Sequence, residues 1–184
     1  MKTNYLITKD ATKYWKKAIK NDRVMVTNHG GIIYIVNGYN AFKFPAMPLL
    51  WDELARPAFM VDMPEEGAAF QYIRGEKQAA ISADVARLID RNLSDTTAAS
   101  RSPFTFENSY SLRLYTNENG SIIAINALYD AMVDTSSAEK IYCGGRYSPV
   151  VFVAGEFTAL IMPVKLADSF QRSVMDTFKK IMEA

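Results

Sequence analysis

Residues 125–166, INALYDAMVDTSSAEKIYCGGRYSPVVFVAGEFTALIMPVKL, carry the pattern that decides the fold class. They predict a short helix at about residues 127–133, followed by three short strands at 140–143, 150–153 and 158–162. Glycine or proline separates the last two strands from what precedes them. Strands that outnumber helices and come in groups indicate an α+β domain, in which helices pack on a sheet, in preference to alternating βαβ units.

The first part of the chain predicts the same mixture. A helix is expected over residues 9–21, where Ala11, Trp15 and Ala18 recur at helical spacing. Two strands at 24–27 and 32–36 follow, and the turn between them, Asn28-His29-Gly30-Gly31, contains residues that tolerate a positive φ. This pattern predicts a β-hairpin.

Several further segments have less regular patterns. The proline-broken apolar segment 39–57 is expected to cross or cap the core, and strands are predicted at 59–63 and 69–74. A helix is predicted after Ser82, and a small, polar, flexible loop at 94–103. Strands resume at residue 104, and the last predicted helix runs from about residue 166 to 182.

Composition limits the class of protein. The 184 residues are 49% hydrophobic and 22% charged, which is ordinary for a globular chain and suits one domain. The 21 basic and 20 acidic side chains nearly cancel, so attraction to nucleic acid requires local clustering of charge. One cysteine excludes an intrachain disulfide, and no apolar run has the length of a signal peptide or a membrane span. These features favour a cytoplasmic protein.

Residues 125–166 resemble the closing half-domain of bacterial DNA sliding clamps, the β subunit of the replicative polymerase. The resemblance lies in Asn126 and Tyr129 of the short helix, in the step Ser148-Pro149-Val150 and in the final strand ending Met162-Pro163-Val164-Lys165-Leu166. The helix at 9–21, the hairpin ending Ile33-Tyr34-Ile35-Val36-Asn37-Gly38 and the following Tyr39 are more loosely similar to the clamp half-domain.

The resemblance implies a clamp-like fold of two similar halves that each combine a helix with a sheet. We therefore expect one domain over residues 1–184, with a first half at 1–80, a helix and loop at 81–104, a second half at 105–166 and an extra C-terminal helix at 167–184. Known clamps close a ring with several copies of the two-half domain per chain. A ring of this chain would therefore need more subunits, as a homo-oligomer.

The predicted helix 9–21 carries a candidate DNA-binding surface. Lys13, Lys16, Lys17 and Lys20 recur at i, i+3, i+4 and i+7, and we call these four residues the lysine stripe. Lys9 and Arg23 extend it at the two ends. Such a stripe either lies along the phosphates of duplex DNA, independently of base sequence, or is an ordinary solvated helix face. The other short helix carries Asp130, with Asp134 just after it, and no lysine, which argues against a uniformly basic channel.

Leu49, Leu50 and Trp51 form a candidate partner-binding patch, because a tryptophan among leucines outside a regular element is typical of interface anchors. The alternative is that this segment is buried over its own core. The predicted C-terminal helix offers the same choice, since its apolar stripe can pack on the sheet or on another subunit.

No catalytic, metal or cofactor site is predicted. His29 is the single histidine and lies in a predicted turn, so no multi-histidine metal site can form, and any Ser-His-Asp triad would have to use that turn residue. Cys143 is expected to be a buried apolar thiol. The paired glycines lack the spacing of phosphate-binding loops, and the neighbouring carboxylates at 52–53 and at 62, 65 and 66 have no acid–base spacing.

The sequence thus favours a non-catalytic, clamp-like module whose expected partners are duplex DNA and replication proteins and whose expected setting is replication, a phage or a mobile element. Two alternatives stay open. One is a protein-interaction or assembly domain of the same fold without DNA binding, and the other is a small-molecule enzyme of unknown class.

Overall fold

The computed structural model describes residues 5–80, 89–90, 97–107, 111–166, 172–174, 176–177 and 180. Its helical elements are α1 (Lys9–Asn21), α2 (Pro48–Leu50), a π-helical turn (Trp51–Ala55), α3 (Arg56–Phe59) and α4 (Ala127–Asp130). Its strands are β1 (Arg23–His29), β2 (Ile32–Asn37), β3 (Asn40–Pro45), β4 (Ala69–Ile73), β5 (Glu76–Ala79), β6 (Ala99–Glu107), β7 (Ser111–Asn117), β8 (Ile122–Asn126), β9 (Lys140–Tyr142), β10 (Val150–Ala154) and β11 (Phe157–Ile161).

The strands form two antiparallel sheets. The larger has the order β5-β4-β1-β2-β3-β11-β10-β9, and the smaller has the order β6-β7-β8. Because every pairing between named strands is antiparallel and the helices lie beside the sheets, the predicted α+β class is confirmed.

The predicted hairpin is present and longer than expected. β1 pairs with β2 from Val24↔Asn37 to His29↔Ile32, and the turn between them is made by Gly30 and Gly31 at φ of 63° and 72°. A left-handed backbone at two consecutive residues suits glycine, which has no Cβ to clash. The local signal in the sequence was therefore sufficient here.

An early strand and a late strand of the chain pair in the middle of the large sheet. β3 pairs with β11 from Lys43↔Thr158 to Asn40↔Ile161, so strands far apart in sequence are direct neighbours. The three strands nearest the seam on each side are consecutive in the chain, and a helix precedes each set: α1 before β1, β2 and β3, and α4 before β9, β10 and β11. A bridge between Ile7 and Val133 joins the chain just before α1 to the chain just after α4.

The main core lies between the large sheet, α1 and the helical segment 48–59. Alternate residues of the sheet, such as Ile33, Ile35, Phe42 and Phe152, point into it and are fully buried. Tyr115, Ile123 and Ile125 of the small sheet join the same core. The opposite face of the large sheet carries Tyr34, Ala41, Val151 and Leu160, on which Ile89 packs.

The structure in and around the helical segment 48–59 differs from two sequence predictions. Residues 40–45, assigned to an irregular crossover, form β3, and residues 59–63, predicted as a strand, are instead the last residue of α3 and the irregular chain after it. The π-helical turn contains a hydrogen bond from the Arg56 N–H to the Trp51 carbonyl. Pro57 accounts for it, because proline lacks an N–H and its ring would clash with the carbonyl four residues earlier in a regular α-helix.

Other predictions are changed or lie beyond the description. Residues 99–103, predicted as part of a flexible loop, belong to β6, which pairs with β7 across a bulge between Arg101 and Thr105. β5 was not predicted at all. Most of the predicted helix after Ser82 lies outside the described residues, and residues 89–90 are helical. The predicted C-terminal helix is also described only in part, at 172–174, 176–177 and 180, all helical.

Candidate nucleic-acid interface

Helix α1 is well specified by its own sequence. The Thr8 hydroxyl accepts a hydrogen bond from the Asp10 N–H at 3.2 Å, which caps the N-terminus, and Asp10 places a negative charge in the first turn. Lys20 lies in the last turn, where a positive charge is favourable. The helix ends at Asp22, whose N–H bonds to the Ala18 carbonyl at 2.8 Å.

The packing of α1 turns the lysine stripe towards solvent. Ala11, Trp15 and Ala18 are buried against the sheet, whereas all four stripe lysines are exposed. At 3.6 residues per turn, the four lysines fall within about 100° of the helix circumference, opposite the buried residues. Lys9 is also exposed and falls on the same face of α1, and Arg23, at the start of β1, is exposed as well.

Ion pairing differs along the stripe. The Lys13 ammonium lies 2.7 Å from an Asp10 carboxylate oxygen, and Arg23 Nε donates to Gln71 Oε1 at 2.9 Å. Within the described part of the chain, no carboxylate forms a salt bridge with Lys16, Lys17 or Lys20. These three ammonium groups are therefore the most available to an external anion.

Asp130 on α4 is not a surface charge. Only 3% of it is exposed, and its carboxylate accepts hydrogen bonds from the Arg101 guanidinium and, at 2.5 Å, from the Tyr115 hydroxyl. Arg113 Nε lies 3.5 Å from the same carboxylate. The sequence argument that counted Asp130 as an acidic charge on a helix facing DNA is therefore wrong, because this carboxylate is buried and paired with Arg101.

Asp134, the other acidic residue near α4, is occupied by its own turn. The hydroxyls of Ser136 and Ser137 donate to its two carboxylate oxygens at 2.6 and 2.7 Å. These hydrogen bonds hold the pKa of Asp134 below its usual range, so the group stays charged.

Three tyrosines, one on α1 and two beside it, meet in a cluster that the sequence did not predict. Tyr14, Tyr39 and Tyr129, which we call the tyrosine cluster, come from α1, from the β2–β3 turn and from α4. Tyr14 meets Tyr129 edge-on with ring centroids 5.3 Å apart, and Tyr39 stacks on Tyr129 at 5.8 Å. The sequence placed Tyr14 on α1 and gave Tyr129, and more loosely Tyr39, as positions of the clamp resemblance. Their mutual contacts are tertiary, so no local pattern predicts them.

The predicted partner-binding patch divides into buried and exposed parts. Trp51 is fully buried, stacks on Phe59 and donates its indole N–H to the Val61 carbonyl at 3.0 Å, and Leu50 is 7% exposed. Leu49 is 69% exposed. Trp51 and Leu50 are thus core residues rather than partner anchors, because the helical segment turns them onto the sheet, and Leu49 alone of the three faces solvent.

The two residues considered for catalysis have different surroundings. His29 is exposed at the end of β1, whereas Cys143 is buried, with its thiol 3.4 Å from the Gly145 carbonyl oxygen. No group of three or more potential metal ligands occurs among the described residues. A cleft of about 350 Å³ on the outer face of the large sheet is lined by Lys43 and Glu156 together with apolar side chains such as Ile32 and Val151.

Comparisons with known proteins give structural neighbours alone. No family profile matches the chain, and no curated protein matches it in sequence. A putative DNA polymerase III beta subunit from Eubacterium rectale ATCC 33656 is 9% identical, with a TM-score of 0.38 over 85% of this chain and 64% of that one. A DNA polymerase III subunit beta sliding clamp from Bartonella birtlesii LL-WM9 is 10% identical, with a TM-score of 0.32 over 90% and 67%.

Both structures are of the kind that residues 125–166 resemble, and the likeness is one of fold alone. The chain spans less than two thirds of the length of the first of them. Among the described residues, no helix is both long and apolar enough to cross a membrane.

Proposed function

We propose that this protein is a non-catalytic, clamp-like module that binds duplex DNA through the lysine stripe of α1, without reading base sequence. The observation that carries the proposal is the arrangement of the stripe. Four exposed lysines lie on one face of a helix whose other face is buried, and three of them have no carboxylate partner within the described residues.

The dimensions of the stripe suit a phosphate backbone. Lys13 and Lys20 are seven residues apart, which corresponds to about 10 Å along a helix. One strand of duplex DNA places a phosphate roughly every 3.4 Å along its axis, so the stripe is long enough to follow about three phosphates. The burial of Asp130 supports this reading, since it removes one negative charge from the neighbouring surface.

The proposal is tested with a triple variant, Lys16→Glu, Lys17→Glu and Lys20→Glu. Each phosphate contact releases counterions, so we expect weaker binding and a salt dependence of log K that is less steep by about 0.9 per lysine removed. Binding of a fluorescent duplex, measured by anisotropy at several salt concentrations, gives both quantities. Lys13 stays unchanged because Asp10 already pairs with it.

The matched control changes the exposed Lys77, Lys140 and Lys165 to glutamate, which alters net charge equally. Binding that falls equally in both variants would show a general charge effect and would contradict a site on α1. Absence of duplex binding by the wild-type protein at low salt would remove the proposal altogether.

A protein-interaction domain remains the second candidate. It is favoured by two large apolar side chains on the segment 48–60, Leu49 and Met60, which are 69% and 84% exposed. Replication proteins as partners, a homo-oligomer and a cytoplasmic location also belong to the proposal. Support for the oligomer comes from β5, whose four residues are exposed and which has no strand on its outer side among the described residues, so that its backbone groups are offered to a second copy.

A further inference from the structure

The tyrosine cluster has one open aromatic face. Tyr39 lies nearly parallel to Tyr129, with an angle of 13° between the rings, so Tyr129 covers one face of its ring. Tyr39 nevertheless remains 54% exposed. A large aromatic side chain that is stacked on one side and solvated on the other has room for a further planar group.

The cluster continues directly into the lysine stripe. Tyr14 and Lys17 are three residues apart on α1 and are therefore neighbours on the helix surface. Tyr14 contacts Tyr129, which in turn stacks on Tyr39. A basic stripe and an aromatic surface are thus joined within one turn of α1.

Tyr39 is held in place by its backbone. Its N–H donates to Asn37 Oδ1 at 3.2 Å, and its carbonyl accepts from the Met162 N–H at 2.9 Å. The Tyr14 hydroxyl donates to the same Asn37 oxygen at 3.4 Å. These bonds fix the backbone at Tyr39, and stacking on Tyr129 restricts its ring, so binding costs less conformational entropy than it would for a free side chain.

Two members of the cluster, Tyr14 and Tyr129, hold their hydroxyl protons more tightly than free tyrosine. Burial, followed by the neighbouring Tyr129, raises the pKa of Tyr14, and burial raises the pKa of Tyr129. Neutral rings beside the lysine stripe do not repel a phosphate backbone.

We propose that Tyr39, supported by Tyr129 and Tyr14, is a stacking platform for an unpaired nucleobase of single-stranded nucleic acid whose phosphates lie on the lysine stripe. This inference rests on the proposed function, because it assigns the lysine stripe to nucleic acid. The combination of aromatic stacking with basic groups is the usual means of binding single strands without sequence preference. The adjoining positive charge favours this ligand over an apolar peptide segment.

The test compares a blunt duplex with a duplex that carries a single-stranded thymidine tail and the same number of phosphates. We expect the wild-type protein to bind the tailed duplex about tenfold more tightly, which is the usual effect of stacking one base. Tyr39→Ala and Tyr39→Leu should abolish this preference and leave blunt-duplex binding intact. Tyr39→Phe should keep the preference, since it retains the aromatic face.

The control variant is Tyr147→Ala, because Tyr147 is an exposed tyrosine (60%) outside the cluster. It should not alter the preference for the tail. If Tyr39→Leu kept the full preference for the tailed duplex, an apolar side chain would be enough at this position and aromatic stacking would not be needed. This result would overturn the inference. Lysine-dependent blunt-duplex binding with no preference for the tail would overturn it too, while leaving the proposed function intact. Absence of any nucleic-acid binding would remove both.

Discussion

Asp130 shows how a single residue can be misplaced by sequence reasoning. It has the sequence context of a surface charge, yet it is buried and shared by Arg101 and Tyr115. The hydrogen bond to Asp130 raises the pKa of Arg101, and burial followed by Asp130 raises the pKa of Tyr115. Both donors therefore keep their protons, and the carboxylate joins α4 to β6 and β7.

Replacing Asp130 tests this structural role. Asp130→Asn removes the negative charge and leaves a partly buried guanidinium without its counter-ion. We expect the free energy of unfolding to fall by about 3 kcal/mol, as is typical when one partner of a buried ion pair is lost. Urea denaturation followed by circular dichroism measures it.

Asp134→Asn is the matched control, because Asp134 is only partly buried and its side-chain hydrogen bonds stay within its own turn. Its cost should stay below about 1 kcal/mol, as for most changes near the surface. Equal costs for the two variants would contradict a buried network at Asp130.

At the scale of elements, the β1–β2 hairpin is stabilised by a residue from outside its own sequence. Glu66, from the loop before β4, accepts hydrogen bonds from the N–H groups of Gly30 and Gly31 at 2.7 and 2.9 Å. These bonds lower the pKa of Glu66 below its ordinary value. The turn glycines thus supply both the left-handed backbone and two donors for a carboxylate.

The sign of the resulting pH dependence follows from that lowered pKa. A carboxyl group with a lower pKa in the folded state stabilises the fold above its ordinary pKa of about 4.5 and loses this effect as the pH falls through the folded-state value. We expect Glu66→Gln to be less stable than the wild type at pH 6 and to approach it in acid.

Thermal unfolding of both proteins across this pH range measures the difference. Glu65→Gln is the control, since within the described residues no hydrogen bond links the Glu65 side chain to the turn, and it should follow the wild-type curve. A difference between wild type and Glu66→Gln that is the same at every pH would contradict the carboxylate contact.

At the scale of the whole molecule, the seam between β3 and β11 unites the chain. Each side of the large sheet depends on the other, because β3 would be an open edge without β11. The Ile7–Val133 bridge and the Tyr14–Tyr129 contact join the two helices across the same seam. The division into two similar halves at residues 1–80 and 105–166 stays a prediction. The two segments are not independent, because they share the large sheet.

Separating the halves tests this dependence. We expect residues 1–80 alone to lack a cooperative unfolding transition, since Phe42 and Phe44 would lose the core partners supplied by β10 and β11. Coexpression with residues 81–184 should restore a soluble complex, measured by copurification and thermal melting. A cooperative melt of the first fragment alone would contradict an obligatory seam.

The sequence determined the features that depend on neighbouring residues. Helix α1, the turn at Gly30 and Gly31, and strands β4, β10 and β11 follow from local periodicity and turn chemistry, and so does the exposed lysine stripe opposite Trp15. Only the tertiary structure decided that residues 40–45 join β11, that Trp51 is buried and Leu49 exposed, and that Asp130 lies between arginines. Tyr39 and Tyr129 likewise meet through contacts between distant segments, which no local pattern encodes.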